Sequence, residues 1–107
     1  EIALRLTTLY LERERFDQVL AWQNEEVETV VTRWNIARAL AALGKTEEAV
    51  SAYQELYEDL KDNPEFLEAY VYLLREAGDV TKAREVANQY LAIVPDDVQM
   101  QTLYDNL

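Results

Sequence analysis

The sequence predicts an all-α chain, and three observations carry that expectation. Gly and Pro number only 2 each among 107 residues, too few for the frequent turns of a β-sandwich or barrel. Apolar residues recur at spacings of three and four along most of the chain, the period of a helical face and not of a strand. The two glycines, Gly44 and Gly78, stand 34 residues apart, and Leu40 with Leu74 and Ala49 with Ala83 share that offset. A unit of helix, turn and helix recurring at fixed period marks a repeat architecture. A chain of 107 residues has room for one domain around one core.

The unit around Gly44 shows the design. Val27, Val30, Val31, Trp34, Ala37, Leu40 and Ala41 draw one apolar helical face. Gly44 follows Leu43 where a helix end wants a left-handed residue, a conformation that costs glycine nothing. A second helix opens near Thr46, with Glu47 and Glu48 favourably placed in its first turn, and carries Ala49, Val50, Tyr53, Leu56, Tyr57 and Leu60 on its apolar face. Asn63 is expected to cap the next helix, and Pro64 suits its first position. That helix presents Phe66, Leu67, Tyr70, Val71, Leu74 and Ala77; Gly78-Asp79 turns the chain, and Val80, Ala83, Val86, Ala87, Tyr90, Leu91 and Val94 follow. Asp96, with Gln99 three residues on, resembles a capping box for a last helix carrying Val98, Met100, Leu103, Tyr104 and Leu107.

The first unit is less regular. Leu6, Leu9 and Tyr10 belong to one helix and Val19 to another, with Glu14-Arg15-Phe16 turning the chain without glycine. Val19 precedes Ala49 by 30 residues, not 34; the deficit is about one helical turn, so the helix near residues 17–24 should be short. Helices are expected near 2–13, 16–23, 26–43, 47–61, 64–77, 80–94 and 97–106, giving repeats over approximately 1–27, 28–63 and 64–97 and a C-terminal helix over 97–107. On a helical wheel, Ile2, Ala3, Leu4, Leu6, Leu9, Tyr10 and Leu11 spread over an arc on the order of 220°, wider than a surface helix ordinarily shows. Residues 2–11 are therefore expected to be covered by a preceding repeat or by a second copy in a homodimer, the alternative being that the second repeat folds back over more of this helix, helped by the short helix near 17–24.

Composition removes several classes of function. There is no Cys and no His, so disulfides, thiol nucleophiles, imidazole catalysis and the usual zinc ligands are unavailable. Acidic residues number 21 against 10 basic ones, for a net charge of -11, which repels nucleic acid and anionic membrane surfaces. No apolar run approaches the ~18 residues of a membrane span. The start, Glu1-Ile2-Ala3-Leu4, lacks a basic n-region, a cleavage site and an initiator Met, and reads as an internal cut from a longer, cytoplasmic protein. Carboxylate pairs such as Glu25-Glu26, Glu47-Glu48 and Asp96-Asp97 fall at helix starts or on polar faces, where capping explains them. Ser51, the one serine, has no histidine partner. No enzymatic activity, metal or cofactor is expected.

These residues resemble the tetratricopeptide repeat, whose 34-residue unit follows the pattern W-x2-L-G-x2-Y, then A-x3-F, then P. Leu67, Tyr70, Val71, Leu74, Ala83, Ala87 and Pro95 take those places in the third unit; Arg33, Ile36, Ala37, Leu40, Ala49 and Tyr53 take them in the second, with Pro64 three residues late. Ala3, Leu6, Thr7, Tyr10, Val19 and Gln23 make a degenerate first unit. The resemblance implies an α-solenoid of antiparallel helix pairs and a non-catalytic module that binds a peptide or partner helix in a concave groove lined by successive first helices. Its groove positions would be Trp34, Asn35 and Arg38 in the second unit and Glu68, Tyr72 and Arg75 in the third. Aromatic and Arg side chains are common interface anchors, although the spacing of Trp34 also suits the apolar stripe. The carboxylate clamp of chaperone-binding members is not expected: Asn35 matches one clamp position, but no Lys precedes Lys45, and Glu65 and Ala69 stand where Lys and Arg are wanted. The partner should be a protein or peptide of basic or apolar character. The alternative is a structural, self-assembling segment of a larger enzyme or regulator, with no peptide binding of its own.

Overall fold

The chain folds as a succession of helices, and each boundary has a local cause. A computed structural model describes residues 2–23 and 29–107, among which there are seven helices and no strand. They are α1 (Ile2–Glu12), α2 (Phe16–Leu20), α3 (Val30–Ala42), α4 (Thr46–Leu60), α5 (Pro64–Ala77), α6 (Val80–Ile93) and α7 (Val98–Asn106). Asn63 caps α5 by accepting from the backbone N–H of Glu65 and Phe66, and Asp79 caps α6 by accepting from Lys82 N–H. At α7 the cap is Asp97 and not Asp96: its carboxylate accepts from Met100 N–H at 3.0 Å. The expected start of α3 near residue 26 is corrected to Val30, because Thr29 is extended and its hydroxyl accepts from Thr32 N–H at 3.0 Å. The part of that expectation on residues 26–28, like Val27, lies outside the described residues. Helix α2 is short, as the 30-residue spacing requires, and ends at Leu20 with a turn over 21–23.

Three turns share one geometry. Gly44 and Gly78 have φ of 79° and 86°, and Glu14, between α1 and α2, takes 57°. In each, the residue after the left-handed position donates back into the helix: Arg15 N–H to Tyr10 O, Lys45 N–H to Leu40 O and Asp79 N–H to Leu74 O, at 2.8, 2.9 and 3.0 Å. These closures satisfy carbonyls that a helix end otherwise leaves open.

The contacts resolve two compact units, Glu1–Leu56 and Tyr57–Leu107, with the division falling inside α4. In the first unit α1 packs on α2 and α3, and α2 on α3. In helix α3, Trp34, Asn35, Ile36, Ala37, Ala39 and Leu40 are all inaccessible or nearly so, while Val31, expected on the apolar face, and Arg33 are exposed. Ala37 and Ala49 are fully buried, and their small side chains admit the close approach of neighbouring helices. In the second unit α5 packs on α6, and α6 on α7. Its core gathers Phe66, Leu67, Tyr70, Val71, Leu74, Ala83, Val86, Ala87 and Met100; burying a side chain of the larger kind contributes roughly 1.5–3 kcal/mol. Phe66 and Tyr70 lie 5.8 Å apart between ring centroids, and Tyr57 and Tyr70 6.4 Å. Ala77 and Val80, expected on apolar faces, sit at helix ends and are exposed, whereas Leu73 joins the core.

Candidate functional site

The sequence places candidate interaction residues on the first helix of two repeats, α3 in the first unit and α5 in the second. The structure treats the two sets differently. Trp34 is 5% exposed and Asn35 3%, and their polar atoms are used within the unit. Trp34 Nε1 donates to the Tyr53 hydroxyl of α4 at 3.2 Å. Asn35 Nδ2 donates to Thr8 Oγ1 at 2.9 Å and Thr7 Oγ1 at 3.2 Å, tying α3 to α1. Thr7 is itself buried and donates to Ala3 O at 2.7 Å. Such a network is held because a buried polar group left unpaired is costly. Arg38 is half-buried, its guanidinium 3.6 Å from the centroid of the Trp34 ring, a cation–π stack that keeps the charge over the edge of the core. Burial pushes the Tyr53 hydroxyl above its ordinary pKa, against the opposing effects of the Trp34 hydrogen bond and the Arg38 charge.

On α5, by contrast, Glu68, Tyr72 and Arg75 are exposed while Val71, Leu73 and Leu74 between them are buried. Tyr72 is 40% exposed, and Arg75 lies with its guanidinium 5.1 Å from the centroid of that ring. An aromatic ring held by a stacked Arg at the surface is a preorganised contact that can desolvate with little ordering cost.

Beside it lies a cluster that sequence reasoning missed. The Tyr90 hydroxyl of α6 donates to Asp97 Oδ2 at 2.6 Å, with Glu68 Oε2 at 3.5 Å. The hydroxyl has one proton, and the shorter contact holds it. The bond to Asp97 keeps the phenol well above its ordinary pKa, with desolvation and the nearby Glu68 charge adding to the effect. Reciprocally, the Tyr90 hydroxyl holds the Asp97 carboxyl below its ordinary value, helped by Met100 N–H. Asp97 thus caps α7 and pins it to α6 at once. Tyr90 was legible only as an apolar-face residue; a 7-residue separation across a helix end gives no periodic signal.

A chain of capped antiparallel helix pairs, joined by tight turns at a 34-residue interval and burying small residues where helices meet, defines a helical repeat protein of the tetratricopeptide class. Such repeats generally mediate protein–protein interaction and are generally non-catalytic. The chain belongs to the family described as YpiA-like, C-terminal tetratricopeptide repeats, whose model matches residues 31–97. None of the curated proteins matches it. Among the described residues no helix is long and apolar enough to cross a membrane, and no three acidic side chains converge where a metal ion could sit.

Proposed function

We propose that this segment is a non-catalytic adaptor of three repeats that holds a basic or apolar peptide, or a partner helix, against the first helices of its repeats. The observation that carries this reading is the exposed Tyr72 with Arg75 stacked on it, flanked by Glu68, on the first helix of a repeat. Arg38 on α3 contributes in its own unit, while Trp34 and Asn35 act by positioning, Trp34 under the Arg38 guanidinium and Asn35 by fixing α3 to α1. The chain's negative charge favours a cationic partner. Peptide-array selection followed by anisotropy titration tests this. Tyr72→Ala and Arg75→Ala should each weaken binding by at least about tenfold, as truncation of an interface anchor does, and added salt should weaken a basic peptide further. Unchanged affinity in both variants would remove α5 from the site.

One observation favours the self-assembly reading alongside it. Leu4, Leu6, Leu9, Tyr10 and Leu11 of α1 are all only half-buried, so one helix retains much partly exposed apolar surface. Sedimentation of the segment with and without Leu4→Glu or Leu11→Glu decides it: self-association abolished by either supports assembly through α1, and a monomer indifferent to both removes that reading.

A further inference from the structure

We propose that the corner of the second unit where α6 ends and α7 begins is a docking site for another protein. Its occupant is a segment that sets an apolar run beside a Lys or Arg, and the place is separate from the first-helix face of α5. Ile93 is the last residue of α6 and Val98 the first of α7. They are 44% and 76% exposed, and no other large apolar side chain among the described residues is as exposed as Val98. Ala92 and Pro95 beside them are exposed as well. Helices α5 and α6 have 14 residues each and run antiparallel from the turn at Gly78-Asp79, so Pro64, which opens α5, stands level with Ile93. One apolar residue at a surface is ordinary, whereas several gathered at one corner mark a contact.

The repeat supplies its own control. At the 34-residue offset, the corner where α4 ends and α5 begins has the same capping plan. Asn63 accepts from Phe66 N–H there as Asp97 accepts from Met100 N–H here. In that corner the places of Ala92, Ile93 and Pro95 are held by Glu58, Asp59 and Lys61, all exposed. The same connection forms on charged side chains, so the local fold does not call for apolar ones. Nor does α7 offer a surface for a helix packing on it as α6 packs on α5. Leu67 and Val71 of α5 are fully buried, whereas their counterparts Gln101 and Asp105 are exposed and hydrogen-bonded to each other at 3.1 Å.

Charge selects the occupant. The carboxyl end of a helix carries partial negative charge, and α6 has no basic residue in its last turn. Just past α4 stands Lys61, paired with Glu58 at 3.2 Å; the equivalent place past α6 is Pro95. Residues 85–107 contain no Lys or Arg, and Asp96 is exposed at the corner itself. The positive end of α7 is already met by the Asp97 carboxylate. The cation that α4 has from its own chain is thus left, at α6, to a partner, with Asp96 as a second contact. A second copy of this chain is a poor occupant. A two-fold contact would set Asp96 and the end of α6 against their own counterparts, with no nearby basic residue to offset the repulsion.

The test selects short peptides from a random phage-displayed library on the native chain, after counter-selection on the chain with Ile93→Asn and Val98→Ser. Both substitutions put neutral polar residues that helix ends tolerate at exposed positions. Helicity and melting temperature check the fold, and Val98→Ser alone serves if Ile93→Asn lowers either. Enriched peptides should pair an apolar run with Lys or Arg and, by anisotropy, bind the native chain at least about tenfold tighter than the substituted one. Amide shift changes should centre on Ile93, Asp96 and Val98. Asp96→Lys should weaken binding at least about threefold, while Asp105→Lys, the same change of charge farther along α7, should not. Tyr72→Ala should leave these peptides unaffected, and a peptide held through Tyr72 should bind the Val98→Ser chain as tightly as the native one, which separates this corner from the α5 face. No enrichment over the substituted chain, enriched peptides that are acidic, shifts centred on Tyr72 and Arg75, equal losses with Asp96→Lys and Asp105→Lys, or a native dimer that Val98→Ser dissociates would each overturn the proposal.

Discussion

Glu14 occupies the place in the first turn that glycine occupies in the other two, and the three positions make a controlled experiment in backbone strain. Glu14 has φ of 57° against 79° at Gly44 and 86° at Gly78, with equivalent closing hydrogen bonds. A residue with a Cβ loses about 1–2 kcal/mol in the left-handed region. Replacing it by glycine recovers that cost but frees the unfolded chain, which returns about 0.4–1 kcal/mol. Glu14→Gly should therefore stabilise by a net of about 0.5–1 kcal/mol. Gly44→Ala should destabilise by a similar amount, and for backbone reasons alone, because a Cβ built there meets nothing within 4 Å. At about 4–8 °C per kcal/mol for domains near this size, the two substitutions should move the melting temperature by about 2–8 °C in opposite directions. Urea titration with unchanged slopes would show that folded-state strain, and not denatured-state compaction, is responsible. A lowered midpoint for Glu14→Gly, or a raised one for Gly44→Ala, would refute the reasoning.

Two further outcomes follow from packing and charge. Ala49 and Ala83 are fully buried while Ser51 is exposed, so Ala49→Leu and Ala83→Leu should each cost about 1–3 kcal/mol by overpacking, and Ser51→Leu no more than about 0.5 kcal/mol; equal melting shifts would mean that the helix faces are misplaced. The Asp97 carboxyl is held below its ordinary value chiefly by the Tyr90 hydroxyl, and a carboxylate with a lowered folded pKa adds stability that is present above its unfolded value and lost as pH falls through the folded one. The margin of the native chain over Tyr90→Phe should accordingly be full near neutrality and shrink as pH falls from about 5 toward 2, read as helicity against temperature; a margin independent of pH would disconnect Tyr90 from Asp97.

Features set by residues within a turn of one another were legible in the sequence. The left-handed ends at Gly44 and Gly78, the caps at Asn63 and Asp79, the buried Ala49 and Ala83 and the short α2 all follow from side chains acting on backbone nearby. Choices between local equals were not. Asp96 and Asp97 can both cap a helix, and the Tyr90 hydroxyl, arriving from α6, favours Asp97. Glu14 takes the left-handed conformation without being glycine, where the closing hydrogen bond and the packing of α1 on α2 hold the turn. The fates of the candidate interaction residues depended on what surrounds each helix. Helical period places Trp34, Asn35 and Tyr72 equally well on a partner-facing wall. Tyr53 and Thr7 with Thr8 enclose the first two, while Tyr72 stays open on α5. Periodicity records which side chains share a face, but only neighbours distant in sequence determine whether that face is covered.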